Sequence, residues 1–432
     1  MILNILKAKI ELKPRNCQLS PYQPLAVPEF RIKDQFIVYT SPDSTYAVTR
    51  DRLRTARQSI LIGIYDFTAG YIRDELLAAL QRGVKISLML DLDNLAGENE
   101  LFKALTTAGV QGVPAPSCAS PNAQYFPSSH EKVIVIDDEW TLVQSGNYTE
   151  ASIPKNDVDG GDPQHFKKGN RDTGVAVHSV ELAAFFTKVL RADMKLELDG
   201  EGVAGFALGV APAPEALLKA PVPPNIPPLR FPSQTYKPSK ALRVVPVLSP
   251  DNYMQVVPAF LKSAKKSILI EQQYIRGDQP QVQKLLAAIG EAWKRNPQLD
   301  VRVVLAIPIG GDLEKEKQSL GTLAMSGLKL GTNIRYLNKK FFTHCHDKLI
   351  IVDRKSALVS SQNWSDSAVA ENREAGLILY STPLAKYFTN IFQLDWDTGL
   401  QTLWPDQAEA SFDFVAATEE MMAVSAGDYR EV

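Results

Sequence analysis

Residues 130–147 read HEKVIVIDDEWTLVQSGN and residues 346–363 read HDKLIIVDRKSALVSSQN. Both fit His-x-Lys-x4-Asp, then six residues, then x-Ser-x-Asn, and every matched position in the second copy lies 216 residues after the first. The chain has only five histidines, so a His-x-Lys-x4-Asp run should arise by chance roughly 0.02 times. Two copies with shared Ser and Asn positions therefore record a duplication. VIVID and LIIVD are β-branched runs, read as buried strands. On a strand, alternate side chains share a face, so His130 and Lys132 point together, as do His346 and Lys348. Asp137 and Asp353 have the opposite parity and read as structural or turn residues. Asp138-Glu139 and Arg354-Lys355 read as tight two-residue turns. That register puts His130 opposite Asn147 and Lys132 opposite Ser145, with His346 opposite Asn363 and Lys348 opposite Ser361. Each hairpin would then present one polar patch.

The duplication extends outward from the motifs. GNRDTG (169–174) matches ENREAG (371–376), and Asp172 or Glu374 could return to a His-Lys patch, fix the imidazole tautomer and stabilise a charged ring. SPD at 41–43 recurs at 249–251, and ARQSILIGIYDF (56–67) recurs as AKKSILIEQQYI (264–275). RGVKISLMLD and LDVRVVLAI read as further strands, and YIRDELLAALQRG and VQKLLAAIGEAWKRN as helices. Strand–helix alternation predicts an α/β sheet covered by helices in each half. The 432 residues exceed what one core usually supports. We expect an N-terminal extension over 1–35, a first domain over 36–200, a Pro-rich linker over 201–238, a second domain over 239–403 and a tail over 404–432.

These residues resemble the phospholipase D superfamily, whose signature is two His-x-Lys-x4-Asp motifs per active site. The resemblance covers roughly residues 36–400 and implies an α/β fold of two pseudo-twofold-related phospholipase D-like domains, each a mixed β-sheet flanked by helices. It implies that one His attacks phosphorus to form a phosphohistidine while the other protonates the leaving group, and that lysines and asparagines bind phosphate oxygens. The expected catalytic set is His130, Lys132, Asn147, Asp172, His346, Lys348, Asn363 and Glu374. The family usually attacks with the N-terminal motif's histidine, so His130 is the expected nucleophile. Asp172 would hold its ring, and His346 would be the acid. Ser145, Ser361, His344 and Trp364 are expected to border the substrate. The sequence departs from the family's Gly-Ser element, with Gln144-Ser145 and Ser360-Ser361 in its place.

The residue types suit the chemistry without a metal or cofactor. Two lysines and two amides aimed at the equatorial oxygens of a phosphodiester supply fixed positive potential. A neutral imidazole is a competent nucleophile, and a protonated one is a general acid near neutral pH. Three cysteines cannot all pair, their spacing fits no metal site, and Cys345 reads as a core residue. His165 and His178 read as structural or solvated. No run resembles a transmembrane span or a signal peptide, so a cytoplasmic protein is the default expectation. Both motifs lie in one chain, so a monomer is expected.

Two substrate classes are open. A phospholipid at a membrane or micelle surface fits the near-neutral net charge of −2, and the EQQYI run at 271–275 resembles the IENQ-type segment of lipid-cleaving members of the family. Tyr125, Phe126, Phe341, Phe342 and Trp364 would be its apolar rim. A nucleic acid could instead be held by Lys167, Lys168, Lys339 and Lys340, although nucleic-acid enzymes usually carry a broadly basic surface. A non-catalytic scaffold fits poorly, because both His-Lys pairs are intact.

Overall fold

The computed structural model describes residues 17–92, 97–120, 122–200, 230–308 and 313–402. The first half runs β1 (Phe30–Ile32), β2 (Phe36–Ser41), α1 (Thr45–Thr55), β3 (Ser59–Ile64), α2 (Gly70–Gln81), β4 (Lys85–Leu90), α3 (Glu98–Ala108), β5 (Gln111–Pro114), β6 (Val133–Ile136), β7 (Trp140–Gln144), β8 (Asp172–His178) and α4 (Val180–Leu198). The second runs β9 (Gln234–Tyr236), β10 (Leu242–Ser249), α5 (Tyr253–Lys262), β11 (Ser267–Gln272), α6 (Pro280–Arg295), β12 (Asp300–Leu305), α7 (Leu313–Met325), β13 (Ile334–Tyr336), β14 (Lys348–Val352), β15 (Ser356–Ser360), α8 (Asp366–Ala370), β16 (Glu374–Tyr380) and α9 (Thr382–Thr398).

Each half builds an eight-stranded mixed sheet, ordered β5-β4-β3-β6-β7-β8-β2-β9 in one and β13-β12-β11-β14-β15-β16-β10-β1 in the other. The orders match strand for strand, which is the expected duplicated α/β fold. The edge strands are exchanged. β1 pairs with β10 (Phe30↔Val244) and β9 pairs with β2 (Phe36↔Tyr236). Residues read as an N-terminal extension and as a linker thus complete the opposite half's sheet and cover an otherwise open edge. The rest of the expected linker, 201–229, and the expected tail lie outside the described residues.

The motif strands are central because VIVI and LIIV are buried on both faces. Their inner faces meet in one shared core, where Val135, Val143 and Val177 join Leu349, Ile351 and Leu377, together with Phe186 of α4 and Phe388 of α9. Burying each such side chain contributes about 1.5–3 kcal/mol. The helices α4 and α9 start alike, with Ser179 and Ser381 accepting from Leu182 N and Leu384 N. Separate outer cores lie under the helices of each half.

The hairpin turns lie one residue earlier than the sequence suggests. Glu139 N donates to Ile136 O at 3.0 Å, and Asp137 and Asp138 have φ of 55° and 54°. Lys355 N donates to Val352 O at 3.0 Å, with Asp353 and Arg354 both at 55°. Positive φ at both central residues marks a type I′ turn, whose twist suits a hairpin. The resulting register pairs Val133 with Val143 and Leu349 with Val359, so Lys132 is not opposite Ser145, nor Lys348 opposite Ser361. Asp137 accepts backbone N–H bonds from Arg57, Gln58 and Ser59, and Asp353 from Lys265, Lys266 and Ser267. The motif aspartates therefore fasten each hairpin to the neighbouring strand β3 or β11.

Two buried arginines join the halves. Arg171 Nε reaches Asp395 Oδ2 of α9 at 2.6 Å, and its Nη1 reaches Ser41 O at 2.9 Å and Asp43 Oδ2 at 3.4 Å. Arg373 Nη2 reaches Asp193 Oδ1 of α4 at 2.9 Å, and its Nη1 reaches Asp251 Oδ2 at 2.5 Å. The repeated SPD and NR segments are two copies of one ionic clasp. Phe342 stacks on Arg171 at 4.2 Å and Phe126 on Arg373 at 4.5 Å. These two rings, expected at an apolar rim, are instead buried beneath the guanidinium groups. Cys17 and Cys118 are disulfide-bonded, which ties residue 17 to the loop after β5, and Cys345 is buried and free.

Candidate active site

Each motif histidine is stitched to the opposite half by its backbone. Arg171 N donates to His344 O at 2.8 Å and His346 N to Arg171 O at 3.0 Å. In the other copy, Arg373 N donates to Ser128 O at 2.9 Å and His130 N to Arg373 O at 2.7 Å. The residue after each arginine therefore faces the other half's histidine. His130 Nδ1 lies 2.8 Å from Glu374 Oε2, and His346 Nδ1 lies 2.9 Å from Asp172 Oδ1. The acids pair across the two halves. This corrects the expectation that Asp172 holds His130: Glu374 does so, and Asp172 holds His346.

The motif serines serve these acids. Ser145 Oγ donates to Asp172 Oδ1 at 2.8 Å while accepting from Thr173 N at 3.0 Å. Ser361 Oγ donates to Glu374 Oε2 at 2.5 Å and accepts from Ala375 N at 3.0 Å. Their hydroxyl protons are committed to the carboxylates, so they position the acid–histidine pairs rather than border substrate. Gly146 is required beside them, because a Cβ there would lie 2.9 Å from the Asp172 carboxyl carbon. Trp364 is likewise not a border residue. It is fully buried in the outer core of the second half, and its Nε1 donates to Tyr253 Oη at 3.1 Å. Gln144, in place of the expected glycine, braces the turn through Nε2 to Gly146 O at 2.8 Å.

Lys132 Nζ donates to His130 O at 2.7 Å and Lys348 Nζ to His346 O at 2.6 Å, which curls both ammonium groups back beside the rings. Asn147 Nδ2 donates to Asp66 Oδ2 at 2.6 Å, while Asn363 is buried next to its motif. Tyr65 was not foreseen. Its ring meets that of His130 edge-on at 4.6 Å, and Lys132 Nζ lies 5.3 Å from its centre. The second half has Gln273 at the equivalent position, so no repeated signal marks it. His344 is buried, and burial, reinforced by the charges of His346, Lys339 and Lys348, holds its ring well below the ordinary imidazole value. His165 and His178 lie apart, paired with Asp162 and Asp34.

The electrostatics follow from burial. Burial, reinforced by Lys132, Lys348 and His346, holds His130 well below the ordinary imidazole value. Burial pushes Glu374 up to about 8 against the pull of Lys132, and Asp172 up to about 6 against that of Lys348. If the Glu374–His130 pair is to attack after losing its proton while the Asp172–His346 pair keeps one, the reacting form is a minority of the singly protonated enzyme, because Glu374 is pushed up to about 8 and Asp172 only to about 6. The dependence of kcat/KM would still be bell-shaped, with limbs near pH 6 and 8. Rates measured from pH 5 to 10 check this, and a plateau persisting to pH 10 would contradict it. Among the described residues, no group of three or more His, Cys, Asp or Glu side chains is disposed to hold a metal ion.

The family described as "Cardiolipin synthase, PLD-like domain" matches residues 49–194 and 257–396, which include both motifs. The chain belongs to the phospholipase D superfamily. A phospholipase D of Rickettsia bellii is 30% identical over 122 residues, covering 27% of this chain and 55% of that protein. A mitochondrial cardiolipin hydrolase of Mus musculus is 29% identical over 79 residues, covering 17% of this chain and 36% of that protein. Matches to the first of these relatives span about half their length, 55% and 60% in two Rickettsia proteins. Phosphatidylserine synthase from Haemophilus influenzae shares the fold, with a TM-score of 0.55 at 14% identity over 93% of this chain and 96% of that one. As a phospholipase D-like chain, it contains both half-sites of the duplicated fold. Among the described residues, no helix is long and apolar enough to cross a membrane.

Proposed function

We propose that the protein is a phosphodiesterase that cleaves the head-group phosphodiester of phospholipids, or transfers it to an alcohol, through a phosphohistidine at His130. The observation that carries the reaction class is the pair of crossed contacts, His130 with Glu374 and His346 with Asp172. A carboxylate that accepts from Nδ1–H leaves the Nε2 lone pair of His130 free to attack phosphorus. His346, charged against Asp172, gives its proton to the leaving oxygen and then takes one from the incoming water or alcohol. Lys132 and Lys348 offset the charge that spreads over the equatorial oxygens, and Asn147 and Asn363 flank them. The relatives' names support phospholipid over nucleic acid as substrate.

Positive potential at phosphorus comes from the lysines in this account, so turnover should persist in chelator. Release of choline from phosphatidylcholine is measured in EDTA beside cleavage of single- and double-stranded DNA. Lipid turnover within about twofold of the untreated rate is expected. Complete loss in EDTA, restored by one metal, would overturn the lysine role, and DNA cleavage without lipid cleavage would overturn the substrate class.

A further inference from the structure

The duplication repeats the backbone around the two histidines, but not every side chain that this backbone carries. β3 pairs with the motif strand β6 through Ile60↔Ile136, and β11 pairs with β14 through Ile268↔Val352. Just beyond these strands, Phe67 bridges to Tyr148 and Ile275 to Trp364. Thr68 N donates to Tyr148 O at 3.0 Å, as Arg276 N donates to Trp364 O at 2.8 Å. The residue that follows each strand, Tyr65 after β3 and Gln273 after β11, is therefore fixed from both sides. Only its side chain differs. The Tyr65 ring lies edge-on to that of His130, with centroids 4.6 Å apart and planes at 61°, and Lys132 Nζ is 5.3 Å from its centre. One rigidly held ring thus touches both polar residues of the first motif.

From this unrepeated contact, and resting on the phosphodiesterase reading above, we infer that Tyr65 is a positioning residue of the attacking half, whose ring fixes the plane of the His130 imidazole so that Nε2 points at phosphorus. The bond from Nδ1–H to Glu374 Oε2, at 2.8 Å, anchors one edge of the imidazole and leaves the ring able to rock about that contact. The phenol ring blocks the rocking, and an edge-on aromatic contact is favourable beyond the area that it buries. In-line displacement needs the nucleophile aligned with the breaking bond, whereas a proton donor needs only hydrogen-bond reach of the leaving oxygen. The two histidines have matching carboxylate partners but unequal demands on alignment, which accounts for an aromatic wall on one side and a glutamine at the corresponding place on the other. In the step itself the Nε2–P bond forms as the P–O bond breaks. The electron pair stays on the leaving oxygen, which takes the proton of His346, and Tyr65 neither gives nor takes a proton. At 2% exposure Tyr65 has too little free surface to hold substrate, so its effect should fall on attack and not on binding.

Bis(p-nitrophenyl) phosphate reports attack directly, since p-nitrophenol leaves as the phosphohistidine forms. Stopped-flow absorbance compares the wild-type chain with Tyr65→Phe, which keeps the ring, and Tyr65→Leu, which keeps apolar bulk without it. Thermal melts confirm that each variant folds. The burst should slow about 10–100-fold in Tyr65→Leu and stay within about threefold of wild type in Tyr65→Phe. The substrate concentration that gives half the maximal burst rate should change by less than about twofold in both. A Tyr65→Leu burst within about threefold of wild type would overturn the positioning role. So would a loss in Tyr65→Phe equal to that in Tyr65→Leu, which would assign the effect to the hydroxyl. A loss carried by the half-saturating concentration would make Tyr65 a substrate contact and overturn the role as well. Should Tyr65→Leu fail to fold, Tyr65→Met is read by the same criteria, and a Tyr65→Phe burst slowed more than about tenfold overturns the role by itself. A wild-type chain that cleaves no phosphodiester would overturn the phosphodiesterase reading and this role with it. A wild-type burst that Tyr65→Leu leaves unchanged would remove the role of Tyr65 and leave that reading standing.

Discussion

His130→Ala and His346→Ala are each expected to lower phosphodiester turnover by at least about 10³-fold while the fold persists. A nucleophile and a general acid are separate requirements, and either loss removes a step that the remaining groups do not perform. The two substitutions should not open a core, because both rings contact polar groups at the join between halves rather than the shared apolar cluster. Circular dichroism and a thermal melt would confirm folding, and steady-state rates on phosphatidylcholine would give the effect. Turnover within tenfold of wild type in either variant would contradict the two-histidine reaction.

The crossed acids predict a second large effect with opposite signatures. Asp172→Asn loosens His346, the proton donor, and Glu374→Gln loosens His130, the nucleophile. With an alkyl leaving group such as choline, both should lose about 10²–10⁴-fold. With p-nitrophenol as leaving group, protonation matters little, so Asp172→Asn should still release a near-stoichiometric burst of p-nitrophenol. Glu374→Gln should show a burst slowed by a factor close to its loss on the lipid. Single-turnover absorbance checks both. A burst preserved in Glu374→Gln and lost in Asp172→Asn would exchange the roles of the two halves.

What could be read from the sequence depended on whether the signal was local or repeated. The duplicated motif, the buried strands and the turn roles of Asp137 and Asp353 follow from residue spacing. The hairpin register did not, because Asp137 and Asp138 both adopt positive φ and start the turn one residue early. The pairing of acids was beyond a linear reading. It depends on the backbone bonds between Arg171 and His344 and between Arg373 and Ser128, which join residues far apart in the chain. The serines were misread for a related reason, since their carboxylate partners lie 27 and 13 residues onward on a neighbouring strand. The SPD repeats were visible as a mark of duplication, and only the fold shows why they repeat: Asp43 and Asp251 each face a buried arginine. The exchange of β1 and β9 left no pattern, because each is a three-residue edge strand. Trp364 follows the motif asparagine and looks like a border residue, yet its segment bridges Ile275 and turns the indole into the core.

The claim that His130 forms the covalent bond to phosphorus is tested most directly by trapping the intermediate. Wild-type enzyme is mixed with ³²P-labelled substrate, quenched without acid at short times, digested and mapped. The account predicts phosphohistidine in the peptide containing His130 and none in the peptide containing His346. Label on His346 alone, or single turnover completed with no labelled protein at any time, would contradict it.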